Sequence, residues 1–106
     1  MTERVNVAKE FSRYPAGRYF ADGDFTGQAF RTKFLVPALK RKQQIVVELD
    51  GVRGYGSSFL EEAFGGLVRD GFAVELVKEL IKLQSADPSL VEEINEYIDE
   101  GLNPQD

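Results

Sequence analysis

The stretch GVRGYGSSFLEEAFGG, residues 51–66, holds the residues best suited to chemistry in this chain. It carries adjacent hydroxyls at Ser57 and Ser58, five of the ten glycines, and carboxylates at Glu61 and Glu62. Hydroxyls and glycines at a helix start can cradle a phosphate, launch a nucleophile from a sharp turn, or accept a phosphate as a switch. The first two need more than this chain supplies. A phosphate loop reads Gly-x-x-x-x-Gly-Lys-Ser/Thr, and no lysine lies between residues 43 and 77. A dinucleotide fingerprint would place a third glycine where Phe59 follows Gly54 and Gly56. A nucleophile elbow needs Gly-x-Ser-x-Gly with a histidine elsewhere, and the chain has no histidine and no cysteine. Serine–histidine hydrolysis, thiolate chemistry and the usual zinc sites are thereby excluded. No spacing singles out a lysine partner for either serine. We expect no catalysis, no cofactor and no metal site.

The same residues also read as a helix start. Ser58-Phe59-Leu60-Glu61 spells the capping box, with Ser58 accepting from the amide of residue 61 and Glu61 reaching back. Glu61 and Glu62 would sit at the positive end of the helix dipole. Gly65 and Gly66 each cost a helix interior roughly 1 kcal/mol against alanine, which close packing on the sheet or a neighbouring helix would explain. Phe59 is either a staple-like contact or an exposed docking residue. Tyr55 is expected to face a partner or to pack over the sheet edge, and Arg53 to pair with Asp50 or neutralise a phosphate. Asp22 and Asp24 are a conceivable cation pair, but two carboxylates in a turn are expected to be turn formers.

The elements that must position these residues follow from periodicity and punctuation. RVNVAKEF alternates through Val5 and Val7 and predicts a strand. Pro15-Ala16-Gly17 turns it into a short returning strand at RYF, an N-terminal hairpin. Thr26 caps a helix with Phe30, Phe34 and Leu35 on one stripe, kinked or tightened near Pro37. QQIVVELDG reads as a central strand covered on both faces. A helix follows the serine pair and ends at Gly71. Residues 73–78 form a helical turn, LIKLQ a strand, and Asp87-Pro88 opens a last helix with Leu90, Val91, Ile94, Tyr97 and Ile98 on its apolar stripe. The tail, residues 101–106, is expected to fray.

At 106 residues, 42% hydrophobic and 29% charged, the chain fits one soluble domain, residues 1–106, with little room for a deep cavity. Its net charge of −5 argues against nonspecific nucleic-acid binding. The basic cluster RTKFLVPALKRK reads as the solvated face of a helix. No apolar run reaches the ~20 residues of a membrane span, and MTERVNVAKEF is too polar for a signal peptide, so a cytoplasmic location is expected. Strands alternating with helices predict an α/β domain with a mixed, partly parallel sheet of about four strands and helices packed on it.

VVELDGVRGYGSSFL resembles the junction of STAS domains, typified by bacterial anti-sigma-factor antagonists: an apolar strand, a short turn, then a tandem hydroxyl pair opening an apolar helix. FSRYPAGRYFADGDFTGQAFRTKFLVPAL together with LDGVRGYGSSFLEEAFGGL is more similar still to the bacterial STAS-like domain family of unknown function, over roughly residues 10 to 99. The resemblance implies a STAS-like sandwich and a regulatory, protein-binding role. It aligns Ser58 with the antagonists' phosphoacceptor and Ser57 with the preceding serine or threonine. Gly56 stands where they have an acid, and Phe59 where they have glycine. A kinase-like partner ATPase is implied in the same way.

The sequence thus predicts a non-catalytic domain that docks a protein through residues 53–62. Arg53, Tyr55, Gly56, Phe59, Glu61 and Glu62 would form the contact, and Ser58 or Ser57 would accept phosphate. A phosphate adds about −1.5 to −2 charges, which a helix start tolerates but Glu61 and Glu62 would oppose. The alternative is a nucleotide- or small-ligand-binding domain using the glycine-rich loop and the helix N-terminus. A third reading is an oligomerisation module.

Overall fold

Val5, Ile45, Val47 and Ile81 are buried, while Arg4, Lys82 and Gln84 are exposed, and this alternation fixes the sheet. The structure, a computed structural model, describes residues 2–103. Strands β1 (Glu3–Asn6), β2 (Ile45–Glu48) and β3 (Ile81–Gln84) lie in that order and pair in parallel. Val5, Val47 and Leu83 stand in register on the inner face. The helices are α1 (Val7–Glu10), α2 (residues 27–40), α3 (residues 57–69), α4 (Val74–Leu80) and α5 (Pro88–Asp99).

Four expectations about the sheet are corrected. Among the described residues it has three strands rather than about four, and its pairing is parallel throughout rather than mixed. The N-terminal hairpin does not form. Asn6 accepts from the Lys9 amide at 3.0 Å, so the chain turns into α1 after four strand residues. The RYF segment enters a 3₁₀ turn at Phe20–Asp22, where the Asp22 carboxylate accepts from the amides of Arg18 and Tyr19. β2 is covered on one face only. On the other, Arg4 crosses the sheet to Glu48 at 2.6 Å and to Gln84 at 3.0 Å, and Asn6 donates to Glu48 at 3.1 Å. The hydrogen bonds from Arg4 and then Asn6 hold the Glu48 carboxyl below its usual value. These polar cross-strand contacts suit a face left to water.

Helix α2 starts at Thr26, whose hydroxyl accepts from the Ala29 amide at 3.2 Å. It runs through Pro37, and the turn before the proline is widened rather than tightened: Arg31–Leu35 has π geometry, with the Val36 amide donating to the Arg31 carbonyl. Helix α3 carries a second π turn at Glu61–Gly65 and ends as expected at Gly71, at φ +107°, with the Phe72 amide returning to the Leu67 carbonyl. Asp87 caps α5 and Pro88 is its first residue. Ile94 and Ile98 are fully buried on that helix, with Leu90, Val91 and Tyr97 half-buried beside them. The expected fraying does not begin at Gly101: residues 101–103 form a turn, and Gly101 is buried against Val68. Residues 104–106 lie outside the described residues.

Candidate functional site

The loop after β2 is built by short-range ties. Leu49 extends the ladder, its amide donating to the Gln84 carbonyl at 2.8 Å. Asp50 then turns toward β3 and accepts from the Ala86 amide and the Ser85 hydroxyl, so it anchors the β3–α5 turn and does not pair with Arg53. Gly51 takes φ +95°, which favours glycine, and a Cβ there would meet that of Ala8 at 3.1 Å. The Arg53 amide donates to the Arg13 carbonyl at 3.0 Å, stitching this loop to the N-terminal segment. Tyr55 packs over the strand end: its hydroxyl donates to the Leu49 carbonyl at 2.7 Å, and its ring stacks on Phe59. Burial, and then the Asp50 charge, push the Tyr55 phenol well above its ordinary value.

The capping box at Ser58 does not form. Gly56 occupies the N-cap position at φ −73°, ψ 147°, so the helix has no side-chain cap, and Ser57 and Ser58 are its first two residues. Both serines are exposed, and among the described residues neither hydroxyl makes a hydrogen bond. Glu61 is engaged elsewhere. It pairs with Arg18 and with Arg69, the latter at 2.7 Å, while Glu62 pairs with Arg31 at 2.9 Å, Arg69 at 3.2 Å and Arg18 at 3.3 Å. Arg31 also reaches Asp70 and the Glu62 carbonyl, and Arg69 reaches the Gly101 carbonyl. Burial pushes the Glu61 carboxyl up, but hydrogen bonds from Arg69 and Arg18, with their charges, outweigh it and hold it below the ordinary value.

The expected docking residues therefore divide. Arg53, Gly56, Ser57 and Ser58 are exposed and Tyr55 is half-buried. Phe59, Glu61 and Glu62 are withdrawn, with exposures of 1%, 4% and 5%. Phe59 lies against Phe11 and Phe30, so of its two readings the packing contact is the one realised. The two glutamates are held inside by arginine. Arg31, placed by its sequence on a solvated helix face, is 7% exposed. Gly65 and Gly66 fulfil the close-packing expectation. A Cβ on Gly65 would lie 2.9 Å from the Tyr97 carbonyl, and one on Gly66 would overlap the Arg31 guanidinium.

Residues 26–91 match the family model described as STAS-like domain of unknown function (DUF4325). The chain belongs to this STAS-like family. No curated protein and no solved structure matches it significantly.

The matched span of the STAS-like domain includes the loop, the serine pair, both buried glutamates, Arg31 and Arg69. It leaves out β1 and Arg18, which complete the sheet and the ion cluster from the N-terminal side. A cavity of about 370 Å³ lies beyond the carboxyl ends of β2 and β3. Its lining includes Asp50, Tyr55, Asp87, Ser89 and Glu93, and no lysine or arginine, a charge of the wrong sign for a phosphate. Among the described residues no group of three or more carboxylates could hold a metal ion, and Asp22 is occupied as a turn former. No helix among them is long and apolar enough to cross a membrane.

The segment from Tyr14 to Phe25, expected to be a turn and a returning strand, has a surface that no motif announced. It carries Tyr14, Tyr19, Phe20 and Phe25, four of the five exposed large hydrophobics among the described residues. The Ala16 amide bonds to the Phe25 carbonyl, and Gly17 and Arg18 accept from the first amides of α2, so this strap is tied at both ends. Its signal in the sequence was the density of aromatics in a stretch with little strand alternation.

Proposed function

We propose that this STAS-like domain is a non-catalytic docking module, read by a protein partner at the loop 51–56 and the start of α3, with Ser58 as phosphoacceptor and Ser57 beside it. The observation that carries the reading is the idleness of the two hydroxyls. Ser57 and Ser58 stand exposed at a helix start, and neither holds the fold together. Polar side chains with no structural task, on a surface positioned by a rigid strand and helix, are suited to recognition. The glutamates that would repel a phosphate are neutralised by Arg18, Arg31 and Arg69 inside the domain. A phosphate on Ser58 would sit at the positive end of a 13-residue helix whose N-cap is a glycine. Its charge would change what docks there and leave the fold intact. The resemblance to anti-sigma-factor antagonists favours a kinase-like ATPase as the partner.

The test is incubation of the domain with ATP and the ATPase encoded nearest to it, read by intact mass and by binding. One added phosphate on the wild type, absent in Ser58→Ala, with weaker binding by Ser58→Asp, is the expected result. No added phosphate, with binding equal in wild type, Ser58→Ala and Ser58→Asp, would overturn the switch. Loss of binding in Arg53→Glu would then still mark the loop as a docking edge.

A further inference from the structure

The strap and the loop are tied side by side, because the Arg53 amide bonds to the Arg13 carbonyl and the Ala16 amide to the Phe25 carbonyl. Tyr14, Tyr19, Phe20 and Phe25 are 66%, 52%, 56% and 45% exposed on it. At roughly 200 Å² for a whole aromatic side chain, this leaves about 450 Å² of aromatic surface in water. Summed over the strap, that is about half of the ~800 Å² that each partner contributes to a standard interface. The patch carries both signs of charge. Arg13 and Arg53 are exposed and make no ion pair among the described residues. Asp24 is exposed on the same strap, whereas Asp22 is occupied with the amides of Arg18 and Tyr19. A surface that is aromatic in content and mixed in charge complements itself, which is what a twofold contact demands.

We propose that the strap face, Tyr14 to Phe25 with Arg13 and Arg53, is the contact between two copies of this chain. The four aromatics supply its apolar centre. The arginines of one copy meet Asp24 of the other at the rim. This contact shares Arg53 with the docking loop but not Ser57 or Ser58, and self-association of the chain is measured with no partner present, so it fails independently of the docking.

Sedimentation velocity over a concentration series tests it, using the full chain. Wild type is expected to shift reversibly from monomer to dimer. Tyr14→Ser with Phe20→Ser should weaken association by about tenfold or more, as should Arg13→Glu with Arg53→Glu. Adding Asp24→Arg to the arginine pair inverts the three charges proposed to meet across the contact and restores their complementarity, so the triple variant should dimerise again. These side chains are exposed, and far-UV circular dichroism checks that each variant is folded. A wild type that stays monomeric throughout the series overturns the proposal. So does a dimer that the aromatic substitutions leave unchanged, or a triple variant no tighter than the arginine pair.

Discussion

Arg31 on α2 donates to the Glu62 carboxylate at 2.9 Å, and it can do so because Gly66 has no side chain. The guanidinium occupies the space a Cβ would fill, one turn along from its partner. A helix-weakening residue and a buried cation are thus one device. Gly66→Ala should gain roughly 1 kcal/mol in helix propensity. It should lose more by displacing Arg31, whose hydrogen bonds to the Glu62 carboxylate and to the Glu62 carbonyl are worth about 1.5–3 kcal/mol each. The expected net is a destabilisation of about 2 kcal/mol or more, seen as a lower urea midpoint at constant m-value. An unchanged or raised midpoint would mean that Arg31 relocates freely.

The same cluster sets an acid limit on the fold. Glu61 is held below its ordinary value of 4.5 in the folded state, so the unfolded chain binds protons first as pH falls. Its stabilising contribution is complete above about pH 4.5 and is lost as pH drops through the folded value. Glu61→Gln should lower stability at pH 7 and flatten the loss below pH 4.5. Urea melts at a series of pH values check this. Parallel curves for wild type and variant would remove Glu61 as the cause.

The two candidate caps make opposite predictions. Thr26 is buried and its hydroxyl accepts from the Ala29 amide, so Thr26→Ala should cost about 1–2 kcal/mol, with Thr26→Ser recovering most of it. Ser58 makes no such bond, and Ser58→Ala should change stability by less than about 0.5 kcal/mol. Thermal melts of the three variants are sufficient. A Ser58→Ala loss as large as that of Thr26→Ala would restore the capping box.

Much of the fold was legible where one local rule fixed one position. Asp87-Pro88 announced α5, Gly71 ended α3, Thr26 opened α2, and the apolar LIKLQ run marked β3 at Ile81–Gln84. The failures share a cause, which is that a distant partner outweighed a local pattern. Val7 continues the strand alternation of Val5, but Asn6 caps a helical turn there, and β1 takes its partner from residues 45–48. Ser58-x-x-Glu61 has the letters of a capping box, yet three arginines from separate parts of the chain draw Glu61 and Glu62 inward. Neither π turn has a sequence signature. At the site, the serine pair and its place after the central strand were readable. Which neighbours face water was not, because burial of Phe59 and both glutamates depends on Phe11, Arg18 and Phe30 far upstream.

The parallel sheet also bears on the order of events as the chain leaves the ribosome. β1 is made well before its hydrogen-bonding partner, which begins at Ile45, and β2 acquires its second neighbour only at Ile81. Arg69 has no carbonyl to hold until Gly101 is made, and Gly65 has no Tyr97 to pack against. Every pairing in the sheet closes a loop of more than thirty residues, the kind of contact that slows folding. The nascent chain can assemble its core only once α5 and Gly101 have been synthesised, and until then the β1 edge and the strap aromatics are open to whatever else is nearby.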